Sequence, residues 1–161
     1  MNDTLAQPKV AVIMGSTSDK PVMDECTRHL EYFGIKNEEF IFSAHRTPEL
    51  TSQFAKTARE KGFQVIIAGA GMAAHLPGVI AAYTTLPIIG VPLAGSSLNG
   101  VDALYSIVQM PSGVPVATVA IGKAGAINAA VLAAEIIGIF NETINKKLDE
   151  FKKLGCKIPK N

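Results

Sequence analysis

The segment Ser43-Ala44-His45-Arg46-Thr47-Pro48 carries the side chains best suited to chemistry in this sequence. Histidine gives and accepts protons near neutral pH, so His45 is our candidate for acid–base catalysis. Arg46 carries a planar guanidinium whose paired N–H groups match a phosphate dianion. The alternative interpretation is a surface His-Arg pair before a helix that begins near Thr47 and Pro48.

A second polar segment, Gly15-Ser16-Thr17-Ser18-Asp19, follows an apolar run. Its glycine allows a tight turn, and the backbone N–H groups with the hydroxyls of Ser16 and Ser18 could bind a phosphate. Asp19 could accept hydrogen bonds from ribose. The alternative is ordinary capping of the next helix by Ser18 or Asp19. The segment matches neither a P-loop nor a GxGxxG motif.

The third segment, residues 69–78, contains Gly69-Ala70-Gly71 and so lets a flat ligand approach the backbone closely. We interpret Met72 as a packing residue. His75 lies among alanine and leucine and is either a structural residue or part of the site. We expect His29, within the first helical segment, to lie on the surface.

Short apolar runs alternate with segments of helical spacing, which predicts a parallel sheet covered by helices. The predicted strands centre on residues 10–14, 40–42, 65–68, 87–91 and 116–120. The predicted helices cover residues 22–33, 48–62, 73–84 and 101–109, one from Lys123, and a long terminal stripe from Leu132 that breaks near Gly138.

This order predicts a three-layer α/β/α sandwich with a flavodoxin-like, parallel five-stranded sheet and a long C-terminal helix. We expect one domain over residues 1–161, with 139–161 as a helical extension. Ligands of such sheets bind beyond the carboxyl ends of the strands. The three polar segments and the loop after Val91 all fall there, which favours the functional interpretation of His45 and Arg46.

Composition excludes several function classes. The net charge is +1 and no basic cluster alternates with aromatic residues, which argues against nucleic-acid binding. No apolar run is long enough for a membrane span, and residues 1–9 lack the pattern of a secretory leader. Cys26 and Cys156 show no metal or disulfide spacing, so we expect reduced thiols in a cytoplasmic protein. No Cys/His/Asp cluster has metal spacing either, and we expect acid–base chemistry without a metal or cofactor.

Charge is scarce in the middle of the chain. Between Val65 and Ala134 only Asp102 and Lys123 are charged. An exposed surface normally carries more charge, so we expect much of this region to be buried between subunits of a homo-oligomer.

Six segments, in order, resemble the PurE family of purine biosynthesis, specifically its class I 5-(carboxyamino)imidazole ribonucleotide mutases. They are residues 14–19, 43–48, 68–78, 90–92, 100–111 and 120–125. The resemblance implies a cofactor-free transfer of a carboxylate from the exocyclic nitrogen to ring carbon 4, with His45 as the proton carrier. It also implies an octamer, and it leaves room for a transient contact with the enzyme that supplies the substrate.

The same resemblance assigns roles to the other candidate residues. Ser16, Ser18, Ser43 and Arg46 hold the phosphate or its surroundings, and Asp19 holds the ribose. The backbone of Ala70 and Gly71 lines the site of the base and carboxylate, with His75 near it. Two alternatives stay open: direct carboxylation of aminoimidazole ribonucleotide, as in class II, and a non-catalytic flavodoxin-like module that binds FMN or a signalling nucleotide.

Overall fold

The computed structural model describes residues 7–159, in which β-strands alternate with helices along the chain. The strands are β1 (Lys9–Met14), β2 (Lys36–Ile41), β3 (Val65–Gly71), β4 (Ile88–Leu93) and β5 (Ala117–Thr118). The helices are α1 (Lys20–Tyr32), α2 (Pro48–Thr57), α3 (Leu76–Ala81), α4 (Val101–Val108), α5 (Lys123–Gly138) and α6 (Glu142–Lys153), and a short 3-10 turn (Thr17–Asp19) precedes α1. Two parts of the chain considered above lie outside the described residues. They are residues 1–6, within the segment that lacks a secretory leader pattern, and residues 160–161, at the end of the predicted helical extension.

The five strands form one parallel sheet in the order β2-β1-β3-β4-β5. The chain runs outward from β1 to β2 and then returns to place β3 on the other side of β1. The direction of winding therefore reverses between β1 and β3, which is where a flavodoxin-like sheet opens a ligand crevice. The predicted fold class is confirmed.

Two apolar cores lie on the two faces of the sheet because alternate strand residues point in opposite directions. Val10 and Val12 join the core that contains α1, α5 and α6. Ala11 and Ile13 join the core that contains α2, α3 and α4. Burial on both faces explains why β1, β3 and β4 read as continuous apolar runs in the sequence.

The terminal apolar stripe belongs to two helices. The side-chain oxygen of Asn141 accepts a hydrogen bond from the backbone N–H of Ile144 at 3.1 Å and so starts α6. Helix α6 then turns Ile144, Leu148 and Phe151 into the core beside α1 and α5. The predicted break near Gly138 is confirmed. Other boundaries differ: α2 and α3 end earlier than predicted, α3 begins later, and β2 lies before its predicted centre.

His29 corrects one expectation, since its exposed fraction is only 3%. It follows Cys26 by three residues and therefore shares the buried face of α1. Its Nδ1 lies 2.7 Å from the carbonyl oxygen of Glu25, and its ring meets Phe151 edge-on. Contact with α6, more than a hundred residues later, makes this position internal.

No helix within residues 7–159 combines the length and apolar character that a membrane crossing needs.

Candidate functional site

A cavity of about 490 Å³ opens where the loops after β1, β2, β3 and β4 meet. All nine residues singled out from the sequence line it: Ser16, Ser18, Asp19, Ser43, His45, Arg46, Ala70, Gly71 and His75. The structure thus brings together three segments that are separate in the chain. This follows from parallel strands, whose carboxyl ends share one edge of the sheet.

The loop after β1 is held by a reciprocal pair of hydrogen bonds. The backbone N–H of Ser16 donates to Asp19 Oδ2 at 3.0 Å, and the N–H of Ser18 donates to Ser16 Oγ at 3.3 Å. The hydroxyl of Ser18 also donates to Ser16 Oγ, at 2.9 Å. Ser16 therefore caps the 3-10 turn, while Asp19 occupies the N-cap position of α1 without a side-chain capping bond to that helix. The cap and the cavity wall are made by the same side chains.

Asp19 is the one carboxylate in the cavity wall among the described residues. Burial raises its pKa above the ordinary value of 3.8, opposed by hydrogen bonds from the backbone of Ser16 and Gly15. A carboxylate that has lost part of its hydration gains from new donors. Its position suits it to accept hydrogen bonds from ligand hydroxyls.

The loop after β2 closes on itself around Ser43 and Thr47. The N–H of Ser43 donates to Thr47 Oγ1 at 2.9 Å, and the N–H of Thr47 donates to the Ser43 carbonyl at 2.8 Å. The N–H of Arg46 donates to Ser43 Oγ at 3.2 Å, and Pro48 then begins α2. These bonds fix the backbone, so that the side chains of His45 and Arg46 project from a rigid turn.

Arg46 supplies positive charge to the cavity. Its side chain is exposed, and none of the ion pairs in the described part of the chain includes it. A guanidinium that no carboxylate neutralises keeps its full attraction for an anion. Together with the hydroxyls of Ser16, Ser18 and Ser43, it can bind a phosphate group.

The two histidines of the cavity contact each other. His45 Nε2 lies 2.8 Å from His75 Nδ1, and the rings meet at 78° with centroids 4.9 Å apart. This distance is that of a hydrogen bond, in which one ring donates and the other accepts according to their tautomers. The sequence identified both residues but not this contact, because β2 and β3 lie on opposite sides of β1 and the two loops must reach across it.

His75 is positioned by the turn into α3. Its N–H donates to the Ala73 carbonyl at 2.8 Å, and its own carbonyl accepts from Val79 at 2.9 Å. No side-chain capping bond to α3 uses the ring. The imidazole of His75 is therefore available to hydrogen-bond with His45.

Met72 corrects the packing interpretation. Its exposed fraction is 61%, and it joins neither apolar core. Its φ is +56°, a left-handed conformation that costs a residue with a side chain about 1–2 kcal/mol. Met72 is therefore a strained, exposed residue in the cavity wall and not a core residue of its own chain.

The small residues of β3 have two separate uses. A Cβ at Gly69 would lie 2.7 Å from Met23 Sδ, so its smallness admits a core side chain rather than a ligand. A Cβ at Gly71 would lie 3.2 Å from the Leu93 carbonyl oxygen, so β3 and β4 approach closely at the cavity floor. The interpretation that small residues admit a flat ligand stays a prediction for Ala70 and Gly71.

Six further residues line the cavity without having been selected from the sequence: Gly15, Ala44, Met72, Ala73, Leu76 and Gly95. Most of them lie inside the three polar segments but lack reactive groups. Gly95 lies in the loop after β4, a loop that the sequence analysis included only because it follows a predicted strand. Across the described residues, no three His, Cys, Asp or Glu side chains gather closely enough to hold a metal ion.

A sheet in this order, with a polar cavity beside its point of reversal, defines a flavodoxin-like α/β protein with a candidate ligand site at the carboxyl edge. The cavity offers an arginine suited to binding an anion, together with hydroxyls and a histidine pair. Residues 9–155 match the family described as AIR carboxylase, and the chain belongs to that family.

Individual relatives agree with this assignment. The chain is 58% identical over 144 residues to the N5-carboxyaminoimidazole ribonucleotide mutase of Bacillus subtilis, with 89% of each chain covered. It is 58% identical over 146 residues to the mutase of Thermotoga maritima, covering 91% of this chain and 84% of that one. The crystal structure of Treponema denticola PurE has a TM-score of 0.84 and 29% identity, covering 93% of this chain and 92% of that chain. The resemblance to the PurE family is confirmed.

Proposed function

We propose that this chain is an isomerase that converts 5-(carboxyamino)imidazole ribonucleotide to 4-carboxy-5-aminoimidazole ribonucleotide in purine biosynthesis. The observation that carries the proposal is the pair of His45 and His75, 2.8 Å apart in a cavity that also contains Arg46. Such a pair can deliver and remove protons beside a bound phosphorylated substrate. Relatives at 53–58% identity carry the mutase name, which supports an enzyme over a non-catalytic binding module.

Substrate binding follows from the charges of the cavity. The guanidinium of Arg46 and the hydroxyls of Ser16, Ser18 and Ser43 hold the phosphate, because charge-assisted hydrogen bonds are the strongest ones available there. Asp19 accepts from the ribose hydroxyls. The backbone of Ala70 and Gly71 lies along the base and its carboxylate.

The reaction needs one proton delivered and one removed. His45 donates a proton to the exocyclic nitrogen as the bond between that nitrogen and the carboxyl carbon breaks, which releases carbon dioxide inside the site. Ring carbon 4 then attacks the carbon dioxide and forms a new carbon–carbon bond. Neutral His45 takes the proton from carbon 4, which restores the aromatic ring and returns the histidine to its starting state.

His75 acts through His45. Its Nδ1 faces His45 Nε2, so it can select which nitrogen of neutral His45 carries the proton and can accept a hydrogen bond from His45 when that ring is protonated. Neither step needs a metal or an organic cofactor in this scheme. Cys26 and Cys156 are both free thiols, which supports a cytoplasmic location.

A test must separate the mutase from direct carboxylation, since the family is described as AIR carboxylase. Purified protein is assayed with the carboxyamino substrate and, separately, with aminoimidazole ribonucleotide and bicarbonate. We expect turnover with the first and little with the second; the reverse result would make the enzyme a carboxylase. We also expect His45→Asn to abolish turnover while the protein stays folded, and full activity of that variant would remove His45 from the mechanism.

We also propose a homo-oligomer, as large as the octamer that the resemblance implies. Leu98, Val101, Tyr105 and Val108 form an exposed apolar stripe on and beside α4, with Tyr105 66% exposed. A neighbouring copy of the chain could cover this stripe.

Light scattering tests the assembly. We expect a mass several times the 17.0 kDa of one chain, and Tyr105→Glu should lower it by placing a charge in the contact. A mass near 17 kDa for the unmodified protein at micromolar concentration would contradict the oligomer.

A transient contact with the enzyme that supplies the substrate would appear as a faster coupled rate than free diffusion of the substrate allows.

A further inference from the structure

We infer that the side chain of Met72 covers the mouth of the site and retains carbon dioxide beside the ring between the two halves of the reaction. This inference rests on the proposed mutase function. Three features carry it: the backbone conformation of Met72, its exposure, and its place in the cavity wall.

The backbone conformation does not itself require a methionine. Among the described residues only Met72, Asn99 and Cys156 combine a side chain with a positive φ. Asparagine adopts this conformation readily, and Cys156 lies in an exposed turn after α6. A glycine would make the turn at position 72 without strain. The long side chain is therefore kept against its local preference, which points to a use for it.

Burial within its own chain is not that use. Met72 is 61% exposed and packs in neither apolar core. The side chain lines the cavity and lies on the loop that also carries His75.

Carbon dioxide needs such a cover. It is neutral, a weak hydrogen-bond acceptor and not a donor, so Arg46, Asp19 and the serine hydroxyls offer it little. Retention depends on shape and on the exclusion of water. A flexible, polarisable thioether can fold over the ring and fill an irregular gap. Without it, carbon dioxide escapes after the nitrogen–carbon bond breaks, which leaves aminoimidazole ribonucleotide with the proton from His45 on its nitrogen.

The experiment measures escape directly. The carboxyamino substrate is converted in buffer with ¹³C-bicarbonate and carbonic anhydrase, and label in the product carboxylate is quantified together with released aminoimidazole ribonucleotide. We expect Met72→Ala and Met72→Gly to raise both by at least fivefold over the unmodified enzyme. Met72→Leu, which restores apolar bulk, should recover most of the retention. Leu154→Ala removes an exposed apolar side chain outside the cavity lining and is the matched control, with no change expected.

Each other outcome has a defined meaning. Label incorporation by Met72→Ala within twofold of the unmodified enzyme would overturn the inference. A change in Met72→Gly alone would also overturn it, because the backbone rather than the side chain would then matter. Dissociation of the assembly in both variants, seen by light scattering, would reassign Met72 to a subunit contact. If the unmodified enzyme makes no product from the carboxyamino substrate, the proposed function itself fails.

Discussion

Replacing His75 with leucine removes the nitrogen that faces His45 while it keeps a side chain of moderate size. In the free protein both histidines are exposed, so water can replace the lost partner and folding stability should change little. Bound substrate covers the pair and excludes that water. The loss should therefore appear in catalysis and not in the melting temperature.

The magnitude follows from the contact. In the proposed mechanism His45 carries a positive charge before it donates its proton, and its 2.8 Å contact to His75 Nδ1 is then a hydrogen bond from a charged group. Such bonds contribute about 1.5–3 kcal/mol. At about 1.36 kcal/mol for each factor of ten, kcat for His75→Leu should fall about 10- to 150-fold. KM should change much less, because the substitution leaves Arg46, the proposed phosphate-binding residue, untouched.

Initial rates with the carboxyamino substrate, over a range of concentrations, separate kcat from KM. His75→Asn is the matched variant, since its amide can occupy the place of Nδ1, and we expect it to recover much of the lost rate. A kcat for His75→Leu within twofold of the unmodified enzyme would refute the reasoning, as His45 would then work without this partner. A fall of many degrees in melting temperature would instead indicate a structural role in starting α3.

Three further predictions concern binding and stability. Arg46→Ala should raise KM about 10- to 150-fold, because one charge-assisted phosphate contact of about 1.5–3 kcal/mol is lost, and Arg46→Lys should lie between; steady-state kinetics measures both. Burial raises the pKa of Asp19 above 3.8, so its ionised form opposes folding, and this contribution to stability is lost as pH rises from 3.8 through the raised value. The Asp19→Asn variant does not titrate there. Its urea midpoint minus that of the unmodified protein should therefore grow as pH rises above 3.8. Gly125→Ala should destabilise the protein by about 3 kcal/mol or more, seen as a melting temperature lower by at least about 6 °C, because its Cβ would lie 1.7 Å from the Ala120 carbonyl oxygen.

Each of the three has its own contrary outcome. An unchanged KM for Arg46→Ala would remove Arg46 from the phosphate site. A midpoint difference for Asp19 that shrinks with rising pH would mean that hydrogen bonds outweigh burial there. Gly138→Ala is the matched helix control for Gly125→Ala, because its nearest neighbour is the flexible end of Leu148 at 3.3 Å. Equal melting temperatures for the two variants would show that the chain near Ala120 yields easily.

Much of the fold could be predicted because parallel strands that are buried on both faces leave a strong signal. Apolar runs, with glycine or proline between them, marked the strands near residues 10–14, 65–68 and 87–91. The boundaries of α2 and α3 were less predictable, since fraying and turn geometry decide them. His29 was misjudged for a related reason: periodicity showed which face of α1 is apolar, but α6, which covers that face, comes from the far end of the chain.

The sequence by itself determined which segments meet at the cavity, because strand ends in a parallel sheet share one edge and residues 15–19, 43–48 and 69–78 follow such ends. It also indicated the chemistry, since few side chains in those segments can move a proton or bind an anion. Only the tertiary structure decided the rest. The contact between His45 and His75 joins positions 30 residues apart, and the 61% exposure of Met72 emerges only when the loop after β3 is folded against the rest of the chain. Local sequence encodes the type of element and the reactive groups, whereas distances between groups on different loops arise from packing of the whole sheet.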